Sequence, residues 1–195
     1  MSKLLSVFII VGLLLGLACN SPFVPKVKGY AAVQFPKKAY QLFNESNYPY
    51  SFEYPVYAQI DNKVNYFGES KTGAAWINIK FPETGATIYV SYKKIEAHQF
   101  DTLVKDAYTF ANNHNSKASF IEDSIFTTEN GVHGVFFHIG GNVATSYQFF
   151  LTDSVHHFFR GALYFDTTPN EDSLAPANAF LFKDLAHLVN TFRWK

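Results

Sequence analysis

The chain has one cysteine, Cys19, in 195 residues, so no disulfide can form within it and no zinc site with two thiolate ligands is available. It also lacks an excess of either charge, with 16 Lys plus Arg against 16 Asp plus Glu. No net field therefore steers it to nucleic acid or holds it on anionic lipid, and a nucleic-acid partner is not expected. There is no Gly-x-Ser-x-Gly elbow, no P-loop and no dinucleotide-binding fingerprint. The longest uncharged apolar run, Leu4 to Leu17, falls short of the roughly 20 residues that a helix needs to cross a bilayer. Aromatic residues, by contrast, are plentiful: 21 Phe and 12 Tyr in a chain that is 48% hydrophobic. That is ample for the core of one domain of ordinary size.

The apolar run reads as the core of a signal peptide, preceded by the short positive stretch Met1-Ser2-Lys3 and ending in Leu15-Gly16-Leu17-Ala18-Cys19. Cys19 stands where a bacterial lipoprotein signal carries its acylated residue. Cleavage between Ala18 and Cys19 would make Cys19 the new N-terminus, and each buried methylene of its acyl chains, palmitate for example, contributes ~0.8 kcal/mol to membrane anchoring. Residues 1–18 are thus read as signal peptide. Residues 19–45, with Pro22, Pro25 and Pro36 among Lys26, Lys28, Lys37 and Lys38, are read as a stiff tether. Residues 46–195 are read as one globular α+β domain.

Four strands from Ser119 to Phe165 predict an antiparallel meander. Asn130-Gly131 between apolar runs predicts the two positive φ angles of a type I′ turn. Gly140-Gly141-Asn142 and Thr152-Asp153-Ser154 predict the next two reversals. The doublets Phe136-Phe137, Phe149-Phe150 and Phe158-Phe159 give these strands large apolar side chains on both faces, so both faces must be covered. Upstream, Trp76 to Phe81 and Thr87 to Tyr92 predict a hairpin through Pro82-Glu83-Thr84-Gly85. The stretch Asp61 to Gly73 reads as an irregular loop. Tyr48, Tyr50, Phe52 and Tyr54 recur at spacing two on one face of a strand. Pro49 and Pro55 beside them suggest an edge position. That aromatic row either packs into the core or meets a partner.

Phe100, Leu103, Val104, Ala107 and Ala111 fall on one stripe of a helix that ends near Asn112. Leu181, Leu185, Leu188, Val189 and Phe192 mark a second helix, beginning near Ser173 with Pro176 in its first turn. Three strands, a helix, four strands and a helix predict an antiparallel sheet of about six to seven strands covered by helices. That order resembles the PsbP-like α/β/α sandwich.

Candidate chemistry is sparse. Lys71-Thr72-Gly73 and Ser91-Tyr92-Lys93-Lys94 match short motifs of serine β-lactamases in the reverse order, with Ser91 on a strand rather than at a helix start. His156 and His157 project to opposite faces of a strand, as do His133 and His138, so neither pair can ligate one metal from its positions. Glu122-Asp123 and Glu171-Asp172 read as surface groups. No catalytic residue, cofactor or metal is expected.

Several segments together resemble one family: Pro25-Lys26-Val27-Lys28-Gly29-Tyr30, Pro49 to Tyr54, Trp76-Ile77-Asn78-Ile79, Phe159-Arg160-Gly161-Ala162-Leu163-Tyr164-Phe165, Asp172 to Pro176 and the terminal Trp194-Lys195. From about Pro25 to Lys195 the chain resembles the gliding motility lipoproteins GldD of the Bacteroidota. The resemblance implies a non-enzymatic component needed for gliding and for the linked type IX secretion machinery, whose partners are other proteins of that machinery. Cys19 carries over as its lipid attachment site. Tyr50, Phe52, Tyr54 and Arg160 are the candidate partner contacts. Asn20 is not the aspartate that retains many lipoproteins in the inner membrane, which favours the outer membrane, and no acidic run follows Cys19, which favours a periplasm-facing domain. Two other classes stay open: a periplasmic binder of a small apolar ligand, marked by a large aromatic pocket, and a cell-envelope hydrolase, marked by a histidine against a carboxylate in a cleft.

Overall fold

A four-stranded meander forms the larger part of the sheet: β8 (Ala118–Thr127), β9 (His133–Gly141), β10 (Tyr147–Thr152) and β11 (His157–Phe165). The computed structural model describes residues 34–62, 65–66, 69–70 and 75–195. Before the meander come β1 (Tyr40–Phe43), β2 (Tyr50–Pro55), β3 (Gln59–Asp61), the short ribbon β4 (Asn65–Tyr66) and β5 (Glu69–Ser70), β6 (Ile77–Phe81), β7 (Ala86–Lys94) and helix α1 (Phe100–Asn112). Helix α2 (Glu171–Thr191) and β12 (Arg193–Trp194) close the chain. Seven strands build one antiparallel sheet in the order β3-β6-β7-β11-β10-β9-β8, and three more build a second sheet, β1-β2-β12. The protein is therefore α+β, with the expected number of strands in its main sheet.

Each aromatic doublet is split between the two faces. Phe149 and Phe159 enter one core with Ile77, Ile79, Ile88, Leu151 and Leu163, roofed by Leu181, Leu185, Leu188 and Phe192 of the C-terminal segment. Phe137, Phe150 and Phe158 enter the other, against Leu103, Ala107 and Ala111 of α1. Full burial of a Leu or Phe side chain is worth ~1.5–3 kcal/mol, so each helix is held chiefly by its apolar stripe. Asn170 caps α2, its side-chain oxygen accepting from the Ser173 N–H at 3.0 Å, and Glu171 and Asp172 lie where the helix dipole favours acids. The helix thus begins two residues before the expected Ser173. Pro176 sits in its second turn rather than its first, where it cannot donate to the carbonyl four residues back.

The stretch Asp61 to Gly73, read as an irregular loop, carries the paired strands β4 and β5, and three further expectations change. The Asn130-Gly131 reversal is not type I′: only Gly131 has a positive φ, of 74°. The Gly131 N–H donates to Thr128 O at 2.9 Å, and the Thr128 N–H donates to Val132 O at 2.9 Å, as in a three-residue loop in which a left-handed glycine follows the turn. Gly131→Val should still destabilise the fold by about 1–3 kcal/mol, through φ alone, since a Cβ there meets nothing within 4 Å; the shift of the urea midpoint measures it. Second, β2 is not an edge strand: β1 pairs with one side of it and β12 with the other. Its prolines are tolerated because Pro49 precedes the strand and Pro55 ends it, so neither interrupts the ladder. Third, the fold begins before residue 46. The compact unit spans Val33–Lys195, and Tyr40–Phe43, read as tether, is strand β1. Its two central residues, Gln41 and Leu42, are exposed, so the segment is a strand through its pairing with β2 and the burial of Phe43.

Candidate functional site

Helix α1 covers the second face of the sheet only over β8 to β10 and the adjoining part of β11. The rest of that face, on β6, β7 and β11, alternates small, polar and aromatic side chains, as a half-solvated antiparallel sheet does. Where the two halves meet, a groove of about 230 Å³ runs between α1 and the strands. Phe158 and Val90 line its base, Trp76, Tyr89 and Phe110 its apolar sides, and Ser91, Lys93, Asp106 and Arg160 supply its polar atoms. Phe110 is 47% exposed and Tyr89 40% exposed.

Arg160 is held in place from two directions. Its guanidinium donates to Gln148 Oε1 at 2.6 Å, and Gln148 is 1% exposed. Its other face lies over the Phe110 ring, 4.6 Å from the centroid, a stacking that suits a planar cation. Nearby, burial and then the Arg160 charge pull the His114 imidazole below its ordinary range. The groove's residues offer a positioned guanidinium, the Lys93 amine, the Asp106 carboxylate and aromatic surface. Such a set can grip an amphipathic side chain or an anionic group, but it pairs no nucleophile with a base.

The other predicted contacts lie elsewhere. Tyr50 and Phe52 are fully buried; they stack on Phe43 and Phe192 and meet Phe159, and the Tyr50 hydroxyl donates to Ala75 O at 2.6 Å. The partner-contact reading of these two is corrected, because β2 presses its aromatic face into the core. Tyr54, partly buried, packs edge-on against Phe52. Ala18 and Cys19 lie outside the described residues, as does Lys71-Thr72-Gly73. Ser91 stands opposite Arg160 in the sheet. His157 is bonded through Nδ1 to the Tyr92 hydroxyl at 2.7 Å and stacks on Trp194; His133 is bonded to Thr127 and His138 stacks on Tyr147. Among the described residues no three His, Cys, Asp or Glu gather to hold a metal ion.

A second cluster was not foreseen. Asp184 on α2, 1% exposed, accepts from Lys38 Nζ at 2.7 Å, from the Tyr57 hydroxyl at 2.7 Å and from the Tyr40 hydroxyl at 3.1 Å. The Lys38 ammonium also donates to Phe180 O at 3.0 Å and rests 3.2 Å from the centre of the Phe180 ring. Phe35 stacks on the same ring. Burial pulls the Lys38 amine down, against the Asp184 carboxylate. It pushes the Tyr40 hydroxyl up to about 12, helped by the same carboxylate, and Tyr57 higher still. Beside this clasp His187 Nε2 lies 2.7 Å from Glu53 Oε2, with the Tyr40 ring stacked on it at 3.6 Å. That histidine does meet a carboxylate, but the pair bridges β2 to α2 at the surface, and the groove lies on the far side of the sheet. The signal for the clasp was an aspartate placed between Leu181 and Leu188 on the apolar stripe of a helix.

A family described as gliding motility lipoprotein GldD matches residues 20–194 of the chain. Among solved structures, the chain is similar to PsbP (CyanoP) of the cyanobacterium Synechocystis, with 12% sequence identity, a TM-score of 0.44, and coverage of 85% of this chain and 98% of that one. Curated proteins give no match.

Proposed function

The chain belongs to the family of gliding motility lipoproteins GldD, and from that membership we propose that it is an acylated, periplasm-facing envelope protein required for gliding and for type IX secretion, acting through protein contacts rather than catalysis. Residues 1–18 are its signal peptide, Cys19 carries the acyl chains, and the tether runs to the start of the folded unit at Val33. Its anchor lies in the outer membrane, and its partners are other components of the gliding and secretion machinery. The family match carries this reading: it begins one residue after Cys19 and runs to Trp194, so it takes in tether and folded unit together. The groove around Arg160 is the contact surface, with Phe110 and Tyr89 as exposed apolar anchors, since aromatic and arginine side chains dominate interface energies.

The test is complementation of a deletion strain. Deletion should stop cells spreading on surfaces and stop export of type IX substrates together. Cys19→Ser should fail to restore either and should accumulate as an unprocessed precursor. Arg160→Glu should yield a folded, acylated protein that restores gliding poorly. A mature-size Cys19→Ser protein held in the membrane without fatty acid would overturn the anchor. Loss of gliding on changing one polar residue outside both the groove and strand β8, in a folded and anchored protein, would overturn the contact reading and point to an active site there.

A further inference from the structure

Strand β8 ends the seven-stranded sheet, and among the described residues nothing pairs with its outer edge. At ten residues it is the longest strand of the sheet. Proteins usually protect such an edge by shortening it, or with proline or lysine. β8 contains neither residue. Its inner side is fixed in register to β9 from Phe120↔Gly140 to Thr127↔His133. The register is pinned by side chains: the Phe120 ring lies over Gly140 and the Phe126 ring over Gly134, so close that a Cβ on either glycine would overlap the ring. A register shift lies between Ala118 and Phe120, and from Phe120 to Thr127 the edge is an extended template whose outer side no other described strand pairs with.

The side chains at that edge are partly apolar and partly acidic. Ile125 is 80% exposed and Phe120 39% exposed. At the middle of the strand stand Glu122 and Asp123, one on each face. Asp123 is on the α1 side, where it accepts from the Tyr108 hydroxyl at 3.1 Å, and Glu122 is on the opposite side, across from His138. A second copy of this chain, paired antiparallel about the middle of β8, would set these carboxylates against each other. Like charges directly opposite destabilise a pair of strands. The acids thus guard the edge against its own kind and leave it open to a strand of opposite charge.

We propose that β8 is a docking edge to which an extended segment of another protein adds as an eighth strand, with lysine or arginine at its middle and apolar side chains on either side. Main-chain hydrogen bonds would supply the affinity, and the acidic pair would supply register and selectivity. The inference stands on the edge itself and does not need the gliding reading to be correct.

The probe is a synthetic ten-residue peptide of valine with two central lysines, added to the full mature chain in detergent micelles. Two control peptides differ from it only in carrying glutamate for lysine, or N-methyl groups on alternate residues. Amide exchange is read by NMR along β8. The lysine peptide should slow exchange at alternate β8 amides by tenfold or more, whereas the glutamate peptide should bind at least tenfold more weakly and the N-methylated peptide not at all. In the Glu122→Lys variant, which leaves the Asp123 contact to α1 in place, the preference between lysine and glutamate peptides should narrow or reverse. No protection of β8, or equal binding of the N-methylated peptide, overturns strand addition. Protection of β8 that rises with protein concentration in the absence of peptide overturns the choice of a foreign strand in favour of a second copy.

Discussion

Gly161→Ala should lower the stability of the folded unit by about 3 kcal/mol, the upper part of the range for overpacking a filled core. Gly161 lies on β11 with the Phe149 side chain of β10 directly over it, and an added Cβ would sit 2.5 Å from two atoms of that ring. The ring has no room to withdraw. Phe149 is 1% exposed and is packed between Phe136 and Phe159, so relief requires the strands themselves to shift. With typical domain stabilities of 5–15 kcal/mol, a change of this size moves the urea midpoint far enough to be read from the fluorescence of Trp76 and Trp194. Adding Phe149→Leu to Gly161→Ala should recover part of the loss, which a double-mutant cycle measures as coupling. Simple addition of the two losses would mean that ring and glycine do not touch.

Lys38→Met should be at least as costly, about 3–5 kcal/mol, because it leaves the Asp184 carboxylate in the interior without its countercharge. The Asp184 side chain is 0% exposed and the Lys38 side chain 25% exposed, so the lysine can turn outward when its partner is lost, but the aspartate cannot. Asp184→Leu should therefore cost less than Lys38→Met, and the double variant should recover much of the loss. The same cluster sets an alkaline limit. Tyr40 and Tyr57 keep their protons in the folded protein at pH values where the unfolded chain releases them, near 10. Their contribution is complete below pH 10 and is lost as pH rises from there, for Tyr40 through about 12 and for Tyr57 higher still. Lys38, pulled down by burial, acts in the opposite sense as pH approaches its ordinary value, but it is one group against two. Melting temperature should fall steeply above pH 10, and a Tyr40→Phe, Tyr57→Phe variant should fall less steeply. Parallel curves for the two proteins would remove these tyrosines as the cause.

The meander and both helices were legible because their signals are local. Gly131 and Asp153 mark reversals, the Phe doublets mark two-sided burial, and the leucines of α2 mark one stripe. What escaped depends on partners distant in sequence. β1 and β12 are four and two residues long, too short to carry a period of their own, and become strands only because β2 lies between them. Lys38 looked solvated among the basic residues of a proline-rich segment, and nothing near it in sequence announces an aspartate 146 positions away. Arg160 could be singled out as a charge within Phe-Phe-Arg-Gly-Ala, but its clamp between Gln148 and Phe110 comes from two other elements. The row Tyr50, Phe52 and Tyr54 showed a single aromatic face; only the position of β2 decides that the first two turn inward.

Both ends of the folded unit are stitched to the same strand. β1 pairs with one side of β2, Trp194 is in register with Tyr50 on the other, and Lys195 donates to the carbonyls of Pro49 and Glu45. Helix α2 contributes the roof of the larger core in the same last stretch. Although β1 can pair with β2 early, the third strand of that sheet and the roof of the larger core both come from residues 171–194, far along the chain from the strands they cover. Contacts across such separations make folding slow.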